Sequence, residues 1–156
     1  MLNARLIKKK IDLIQRDLER LIDFKDFTFD EMAKDYIKYA ALKNIFMEII
    51  GRGIDINEHI IARLGSYQNL SPRDYKETFL HMAKLSALPE SFAKKIAASA
   101  CFRNAIVHDY DDLDERIVYK TVGEAIKQYS DYCKHILKFL DKRRAEEKKQ
   151  EVRIKK

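Results

Sequence analysis

The chain of 156 residues is poor in cysteine, proline and glycine and has no tryptophan. Its two cysteines, Cys101 and Cys133, are too few for a disulfide framework, and no Cys-x2-Cys or His-x3-His spacing suggests zinc. No apolar run approaches the roughly 20 residues that span a bilayer, and residues 1–5 lack the pattern of a signal peptide. We therefore expect buried free thiols in a cytoplasmic protein, with no metal, no cofactor and no membrane partner.

The sequence also lacks the alternation of apolar and polar residues that predicts half-buried strands. Helical spacing predominates instead, and 156 residues suffice for one domain with a substantial core. We therefore predict an all-α fold, an up-and-down four-helix bundle with an extra short helix. The domain is expected to cover 1–141, followed by a basic C-terminal tail over 142–156.

The expected helix boundaries follow from apolar stripes and from capping residues. The first helix carries an apolar stripe over 11–21, at Ile11, Ile14, Leu18 and Leu21. Gly51 and Gly53 fall inside the second helix, where they either kink it or let another backbone approach closely. The first two of five expected helices cover 4–24 and the stretch from a cap at Thr28 or Asp30 to Leu64. The other three are expected to begin at Ser71-Pro72, at Pro89 and at Asp114.

The charge is unevenly distributed along the chain. Residues 142–156 hold eight Lys and Arg against three Glu, so +5 of the total net charge of +6 lies in this tail. The remaining body is nearly neutral and has no broad basic face of the kind that marks many nucleic-acid-binding domains. The tail is either an RNA-phosphate contact that depends on salt or simply a solvated helix end.

Residues 103–110, Arg-Asn-Ala-Ile-Val-His-Asp-Tyr, carry the strongest functional signal. The Arg103 guanidinium can hold phosphate bidentately at any physiological pH, and His108 can move protons near pH 7. The pair suits phosphoryl chemistry without a metal. The plainer interpretation is that both are surface residues near a helix C-terminus, where cations are favourable.

The spacing of this motif sets a geometric problem. Arg103 and His108 are five residues apart, which on a regular helix turns them roughly 140° away from each other. Asn104 and His108 are four apart and share a face. Either the helix loosens after Ile106, so that His108 swings towards Arg103, or two copies of the motif meet across a two-fold axis.

The pattern Arg103-x4-His108-x-Tyr110, with asparagine after the Arg and an apolar pair before the His, resembles the signature of HepT-like toxins. These are HEPN-superfamily proteins encoded beside a minimal nucleotidyltransferase (MNT) antitoxin. The resemblance runs from about residue 11 to about residue 140. It includes residues 88–90, the Asp-rich loop that ends at 118–119, and residues 55–60, which are similar to the family's Asp-Ile-Ala-Asn-His-Leu.

The chain departs from the family pattern at three positions. Glu58 stands where the family often has asparagine. Gly51 and Gly53 interrupt a segment that the family builds as one long helix. None of the three lies in the Arg-His-Tyr triplet.

The resemblance implies the toxin of a toxin–antitoxin pair, a metal-independent endoribonuclease. An RNA 2′-hydroxyl would attack the adjacent phosphodiester, with His108 as general base or acid and Arg103 stabilising the charge that develops. Asn104 would orient His108 or donate to a phosphate oxygen. HEPN proteins generally dimerise with their motifs facing each other, which favours a composite site in a homodimer or higher oligomer.

Three further residues carry two interpretations each. Tyr110 is either a buried turn aromatic or, as the resemblance implies, the acceptor of AMP groups transferred by the MNT antitoxin. Asp55 and His59 share a helix face four residues apart. They are either a polar seam lining the dimer cleft, which we expect, or a metal pair.

Two other functions compete with the ribonuclease. One is a non-catalytic helical subunit that presents nucleotide or substrate to a nucleotidyltransferase. The other is a nucleic-acid-binding bundle that uses the basic tail. The co-occurrence of Arg103, His108 and Tyr110 favours the enzyme, because a scaffold would not need an exposed imidazole near an arginine.

Overall fold

The computed structural model describes residues 1–108 and 111–156. Within these ranges the chain forms six α-helices, two short 3-10 turns at Phe24–Asp26 and Gly65–Gln68, and no strand. The helices are α1 (Ala4–Asp23), α2 (Phe29–Lys34), α3 (Tyr36–Leu64), α4 (Tyr75–Lys84), α5 (Glu90–His108) and α6 (Glu115–Ile154). No helix in the described ranges is both long enough and apolar enough to span a bilayer. The predicted all-α class is confirmed.

The four long helices α1, α3, α5 and α6 form the bundle, and the two short helices pack against it. Helix α1 packs on α3 and α6, while α4 packs on α3 and α5. The apolar stripe predicted on α1 faces this core, because Ile11, Ile14, Leu18 and Leu21 are all buried. Burial of such stripes is the main source of helix stability in a bundle.

The predicted second helix is wrong in one respect, because Asp35 divides it into α2 and α3. Its backbone is extended, and its carboxylate accepts hydrogen bonds from the amides of Ile37 and Lys38 at 3.0 and 3.2 Å. An aspartate side chain that caps the next helix competes with continuation of the preceding one. The cap predicted at Thr28 is confirmed, since Thr28 and Glu31 form a reciprocal capping box.

The start of the predicted third helix is also wrong. Helix α4 begins at Tyr75 and not at Pro72, because Asp74 is the residue whose carboxylate accepts the amide of Glu77, at 2.8 Å. The cap predicted at Asp114 is confirmed, since its carboxylate accepts the amide of Arg116 at 2.9 Å. This cap fixes the start of α6 directly after the loop that follows the motif.

Two polar clusters tie the bundle together. The Tyr132 hydroxyl of α6 lies 2.6 Å from Asn57 Oδ1 in α3, and Asn57 Nδ2 donates to the Thr78 hydroxyl of α4 at 3.2 Å. The second cluster surrounds the fully buried Asp17 of α1, which is paired with Arg52 of α3 and, at 3.0 Å, with Arg20. Buried polar groups with satisfied partners of this kind fix the register of neighbouring helices.

The two glycines of α3 have different surroundings, and neither ends the helix. A Cβ at Gly53 would lie 3.0 Å from Tyr129 Cε1, whereas a Cβ at Gly51 would lie 3.6 Å from its nearest neighbour, Arg103 Nε. Gly53 therefore admits the close approach of the Tyr129 side chain, whereas the sequence offered either a kink or the close approach of a backbone. Tyr129 is fully buried and hydrogen-bonded to Ser99 at 2.7 Å, so its ring cannot easily retreat.

This difference predicts opposite effects of the same substitution. Gly51→Ala is expected to raise the free energy of unfolding by about 0.5–1 kcal/mol, because alanine favours the helix and meets only ordinary contact. Gly53→Ala is expected to lower it by about 1–3 kcal/mol through overpacking against Tyr129. Urea unfolding monitored by circular dichroism measures both. A stabilised Gly53→Ala variant would contradict the packing described here.

One of the two cysteines departs from prediction. Cys133 is buried, and burial raises the pKa of its thiol to about 12, with a smaller contribution from Asp12. Cys101 is exposed, which corrects the expectation that both thiols are buried. Cys101 precedes the half-buried Phe102 on α5 and lies on the outer face of that helix, where apolar type alone does not ensure burial.

Helix α6 continues without interruption through the basic tail. Residues 142–154 belong to the same helix as 115–141, and most of their side chains are exposed. Six of the eight cations therefore lie on an extension of the bundle's last helix, and Lys155 and Lys156 follow its end. The division of the chain at residue 141 stays a prediction.

Candidate functional site

Helix α5 carries most of the motif and stays α-helical to His108. The first answer to the spacing problem, a helix that loosens after Ile106, is therefore wrong. On a regular helix the side chains of Arg103 and His108 leave in directions roughly 140° apart. The Arg103 and His108 side chains consequently lie on different surfaces of the same subunit.

Arg103 lies in a small polar cavity between α5, α3 and the start of α4. The cavity has a volume of about 150 Å³ and is lined by Gly51, Ile54, Asp55, Glu58, Tyr75 and Arg103. The guanidinium carbon of Arg103 is 5.6 Å from the centre of the Tyr75 ring, a cation–π contact. The Arg103 Nε is buried and has no hydrogen-bond partner within the described part of the chain. Among the described residues, the cavity thus holds an arginine whose buried Nε–H is not satisfied by a hydrogen bond.

Two carboxylates, Asp55 and Glu58, line the cavity with Arg103. Both residues are exposed, and Asp55 is engaged by Lys10 of α1, whose Nζ lies 3.1 Å from its carboxylate. Asp55 is therefore partly compensated by a neighbour other than Arg103. An anion that enters the cavity meets one guanidinium and two carboxylates, so its contact with Arg103 depends on how these carboxylates are oriented.

His59 does not line the cavity that contains Arg103, although it is four residues from Asp55 on α3. Its Nε2 accepts the backbone amide of Asn3 at 3.2 Å, which requires that nitrogen to be unprotonated. Burial lowers the pKa of His59 below its ordinary value, and the Arg63 guanidinium lowers it further. His59 therefore holds the entry of α1 against α3, and a metal pair with Asp55 has no support in these contacts.

Asn104 and His108 form a second, outward-facing pair on α5. Both side chains are exposed and lie one turn apart on the same face, as predicted. His108 is the last residue of α5. The interpretation of Tyr110 as an AMP acceptor concerns a residue outside the described ranges.

The structure thus brings Arg103 and Asp55 together in one cavity, which neither His59 nor His108 lines. It also adds two residues that the sequence argument had not used for the site, Tyr75 and Glu58. Glu58 departs from the family pattern, so the sequence does carry a signal for this member of the cavity. Tyr75 offers no local signal, because it lies 28 residues before Arg103 and meets it only through the packing of α4 on α5.

In the ranges 1–108 and 111–156, no three His, Cys, Asp or Glu side chains are grouped closely enough to hold a metal ion. Asp55 and His59, the pair considered from the sequence, have other partners in Lys10 and Asn3.

Comparison with known proteins relates this geometry to a family. The family model described as "Ribonuclease HepT-like" matches residues 14–136, a stretch that contains the second half of α1, all of α2 to α5, about half of α6 and the whole motif. A tRNA nuclease HepT from Aphanizomenon flos-aquae is 31% identical over 138 residues, which are 86% of this chain and 90% of that protein.

Solved structures share the same fold at lower identity. A tri-AMPylated HEPN toxin of Shewanella oneidensis, solved with its MNT antitoxin, superposes with a TM-score of 0.74 at 21% identity, covering 87% of this chain and 98% of that one. YutE, a cytosolic protein of unknown function from Bacillus subtilis, gives a TM-score of 0.75 at 17% identity, covering 91% and 93%. The family match and the 31% identical relative show that the chain belongs to the HepT-like ribonuclease family.

Proposed function

We propose that this protein is an endoribonuclease toxin whose site is built from Arg103 and His108. The observation that supports it most is that the matched family stretch, 14–136, includes the complete motif over 103–110. The relative from Aphanizomenon flos-aquae carries the name tRNA nuclease, so a structured cellular RNA is the substrate class we propose. The site of action is then the cytoplasm.

The proposed reaction needs a proton acceptor, a proton donor and a cation. His108 takes the proton of an RNA 2′-hydroxyl, and the oxygen attacks the adjacent phosphorus. The bond to the 5′-oxygen breaks, a second histidine or water protonates that oxygen, and a 2′,3′-cyclic phosphate remains. Arg103 stabilises the negative charge that grows on the phosphoryl oxygens. These steps use side chains and require no metal ion.

The separation of Arg103 from His108 favours a site shared between two subunits. One α5 turns the two side chains in directions roughly 140° apart, so a single phosphate cannot contact both from one straight helix. A two-fold axis close to His108 would place a second copy of the motif opposite the first. In this arrangement Asn104, on the same face as His108, orients the imidazole or donates to the phosphate.

The experiment that tests the function is cleavage of RNA by the purified chain. We expect total tRNA to be cut in the presence of excess chelator, with 2′,3′-cyclic phosphate ends identified by mass spectrometry of the products. Cleavage abolished by the chelator and restored by a divalent cation would overturn the metal-independent route. An intact RNA pool under all conditions would favour the non-catalytic partner subunit.

Control of the toxin is proposed to act through Tyr110. A solved relative is a tri-AMPylated toxin bound to its MNT antitoxin, which makes an MNT nucleotidyltransferase the proposed partner of this chain. AMP on Tyr110 would add negative charge and bulk two residues from His108, and RNA phosphate would be repelled.

This control predicts a covalent mass change. Incubation with the partner nucleotidyltransferase and ATP is expected to add one or more AMP units to the wild-type chain and to stop RNA cleavage. Tyr110→Phe keeps the ring and removes the acceptor oxygen, so it should gain no AMP and remain active. Intact-mass spectrometry measures the addition, and equal AMP gain by Tyr110→Phe would contradict the assignment.

A further inference from the structure

We propose that Tyr75 is a positioning residue for Arg103, and that its ring holds the guanidinium in the orientation in which it meets phosphate. The inference deepens the proposed ribonuclease function and rests on it. Nothing in the family signature over 103–110 includes this tyrosine. It reaches the motif only through the packing of α4 against α5.

Within the described residues, Arg103 is bounded by surfaces on two sides, and its buried Nε makes no hydrogen bond. The Tyr75 ring lies on one side, with its centre 5.6 Å from the guanidinium carbon. Gly51 lies on another, where even an added Cβ would be 3.6 Å from Nε. Nε is buried and unpartnered within the described residues. The cation–π contact with Tyr75 therefore orients the guanidinium without occupying its terminal N–H donors.

Tyr75 is itself held by the core of the protein. It is the first residue of α4, a helix start fixed by the Asp74 cap. The Thr78 hydroxyl donates to the Tyr75 carbonyl at 2.6 Å and accepts from the buried Asn57 at 3.2 Å. This chain of bonds connects the Tyr75 backbone to α3 and, through Tyr132, to α6. The backbone of Tyr75, whose ring contacts Arg103, is thus fixed by hydrogen bonds to buried side chains.

A contact with the Tyr75 ring also leaves Arg103 more able to bind phosphate than an ion pair with a carboxylate would. Two carboxylates, Asp55 and Glu58, line the same cavity and would hold Arg103 if it turned towards them. An arginine bound bidentately by a carboxylate has fewer donors left for phosphate. The ring face attracts the cation without occupying its N–H groups, and Lys10 engages Asp55 at 3.1 Å.

Steady-state cleavage of RNA by three variants tests the role. Tyr75→Leu keeps apolar bulk but lacks a ring face, and kcat is expected to fall about 3- to 30-fold with little change in KM. Tyr75→Phe keeps the ring face and should retain near-wild-type kcat. Tyr67→Leu is the matched control, because Tyr67 is 91% exposed and lies outside the Arg103 cavity. A fall in kcat for Tyr75→Phe equal to that for Tyr75→Leu would overturn the proposal.

A double-substitution series separates positioning from direct contact with RNA. If Tyr75 acts through the Arg103 guanidinium, Tyr75→Leu should lower kcat in the wild type and have little further effect in Arg103→Lys. If the ring instead stacked on an RNA base, the loss would persist in the Arg103→Lys background and would fall mainly on KM. That second outcome would refute a positioning role.

A measurement without RNA keeps this proposal distinct from the proposed function. In ¹H–¹⁵N spectra, the Arg103 Nε–H proton is expected to be shifted upfield by the Tyr75 ring in the wild type and in Tyr75→Phe, but not in Tyr75→Leu. Circular dichroism confirms that each variant is folded. The same Nε–H shift in all three proteins would overturn the positioning contact. If the upfield shift is lost in Tyr75→Leu, the contact between Tyr75 and Arg103 is supported. If the wild-type chain at the same time cuts no RNA, the proposed ribonuclease function is rejected while the contact stands.

Discussion

Arg103→Ala and His108→Ala are each expected to lower RNA cleavage by about 10²–10³-fold, the effect of losing one transition-state donor or the proton-transfer group. Arg103→Ala removes the cation that meets the developing charge, and Arg103 is only half-buried at the edge of the core. His108→Ala removes an exposed imidazole from the last position of α5. Neither change removes a core side chain, so the unfolding transition should move little.

The matched control for charge is Lys95→Ala. Lys95 is an exposed cation on the same helix and has no place in the Arg103 cavity, so its loss should leave kcat unchanged. Single-turnover cleavage with saturating enzyme isolates the chemical step from RNA binding. Full activity in both Arg103→Ala and His108→Ala would place the chemistry elsewhere in the molecule. If Lys95→Ala lowered the cleavage rate as much as Arg103→Ala, the role of Arg103 would be no more than general electrostatic attraction of RNA.

The second large effect concerns stability and the buried Asp17. Asp17→Ala is expected to lower the free energy of unfolding by about 3 kcal/mol, the lower end of the cost of removing one partner from a buried ion pair. Asp17 is fully buried, and its removal leaves Arg52, with a side chain only 19% exposed, without its closest partner. The lower end applies because Glu48 also approaches Arg52, at 3.4 Å, and because Arg20 can turn to solvent.

Two further variants identify the cause of this loss. Asp12→Ala removes an exposed carboxylate from the same helix and should change stability by less than about 0.5 kcal/mol. Replacing Asp17 and Arg52 together by methionine removes both charges, so it should recover much of the stability lost in Asp17→Ala. Urea unfolding measures all three. A double variant as unstable as Asp17→Ala would show that packing, and not the unpaired arginine, is responsible.

The fold was largely predictable because its signals are local. The stripe on α1, the capping box at Thr28 and the cap at Asp114 depend on residues within one or two turns of each other. The misplaced boundaries involve aspartates that can either continue a helix exposed to solvent or cap the next one. Asp35 and Asp74 act as caps, and a cap is chosen by the direction in which the chain must turn.

The candidate site was predictable only in part, because its members are distant in the sequence. The motif over 103–110 identifies Arg103, Asn104 and His108 as residue types suited to phosphoryl chemistry. It cannot predict that Arg103 stacks on Tyr75, which depends on how α4 crosses α5. His59 illustrates the converse. Its spacing from Asp55 predicts that the two side chains line one polar seam. The contact of its Nε2 with the backbone amide of Asn3, 56 residues away, has no counterpart in that spacing.

Mixing two inactive variants tests most directly whether one site is shared between two subunits. Arg103→Ala and His108→Ala are combined, allowed to exchange subunits, and assayed for RNA cleavage. If Arg103 of one subunit acts with His108 of the other, half of the dimers are mixed and each retains one intact pair. Activity should then recover to about a quarter of the wild type, as two-fold symmetry requires. Recovery no greater than the sum of the separate variants would contradict a shared site.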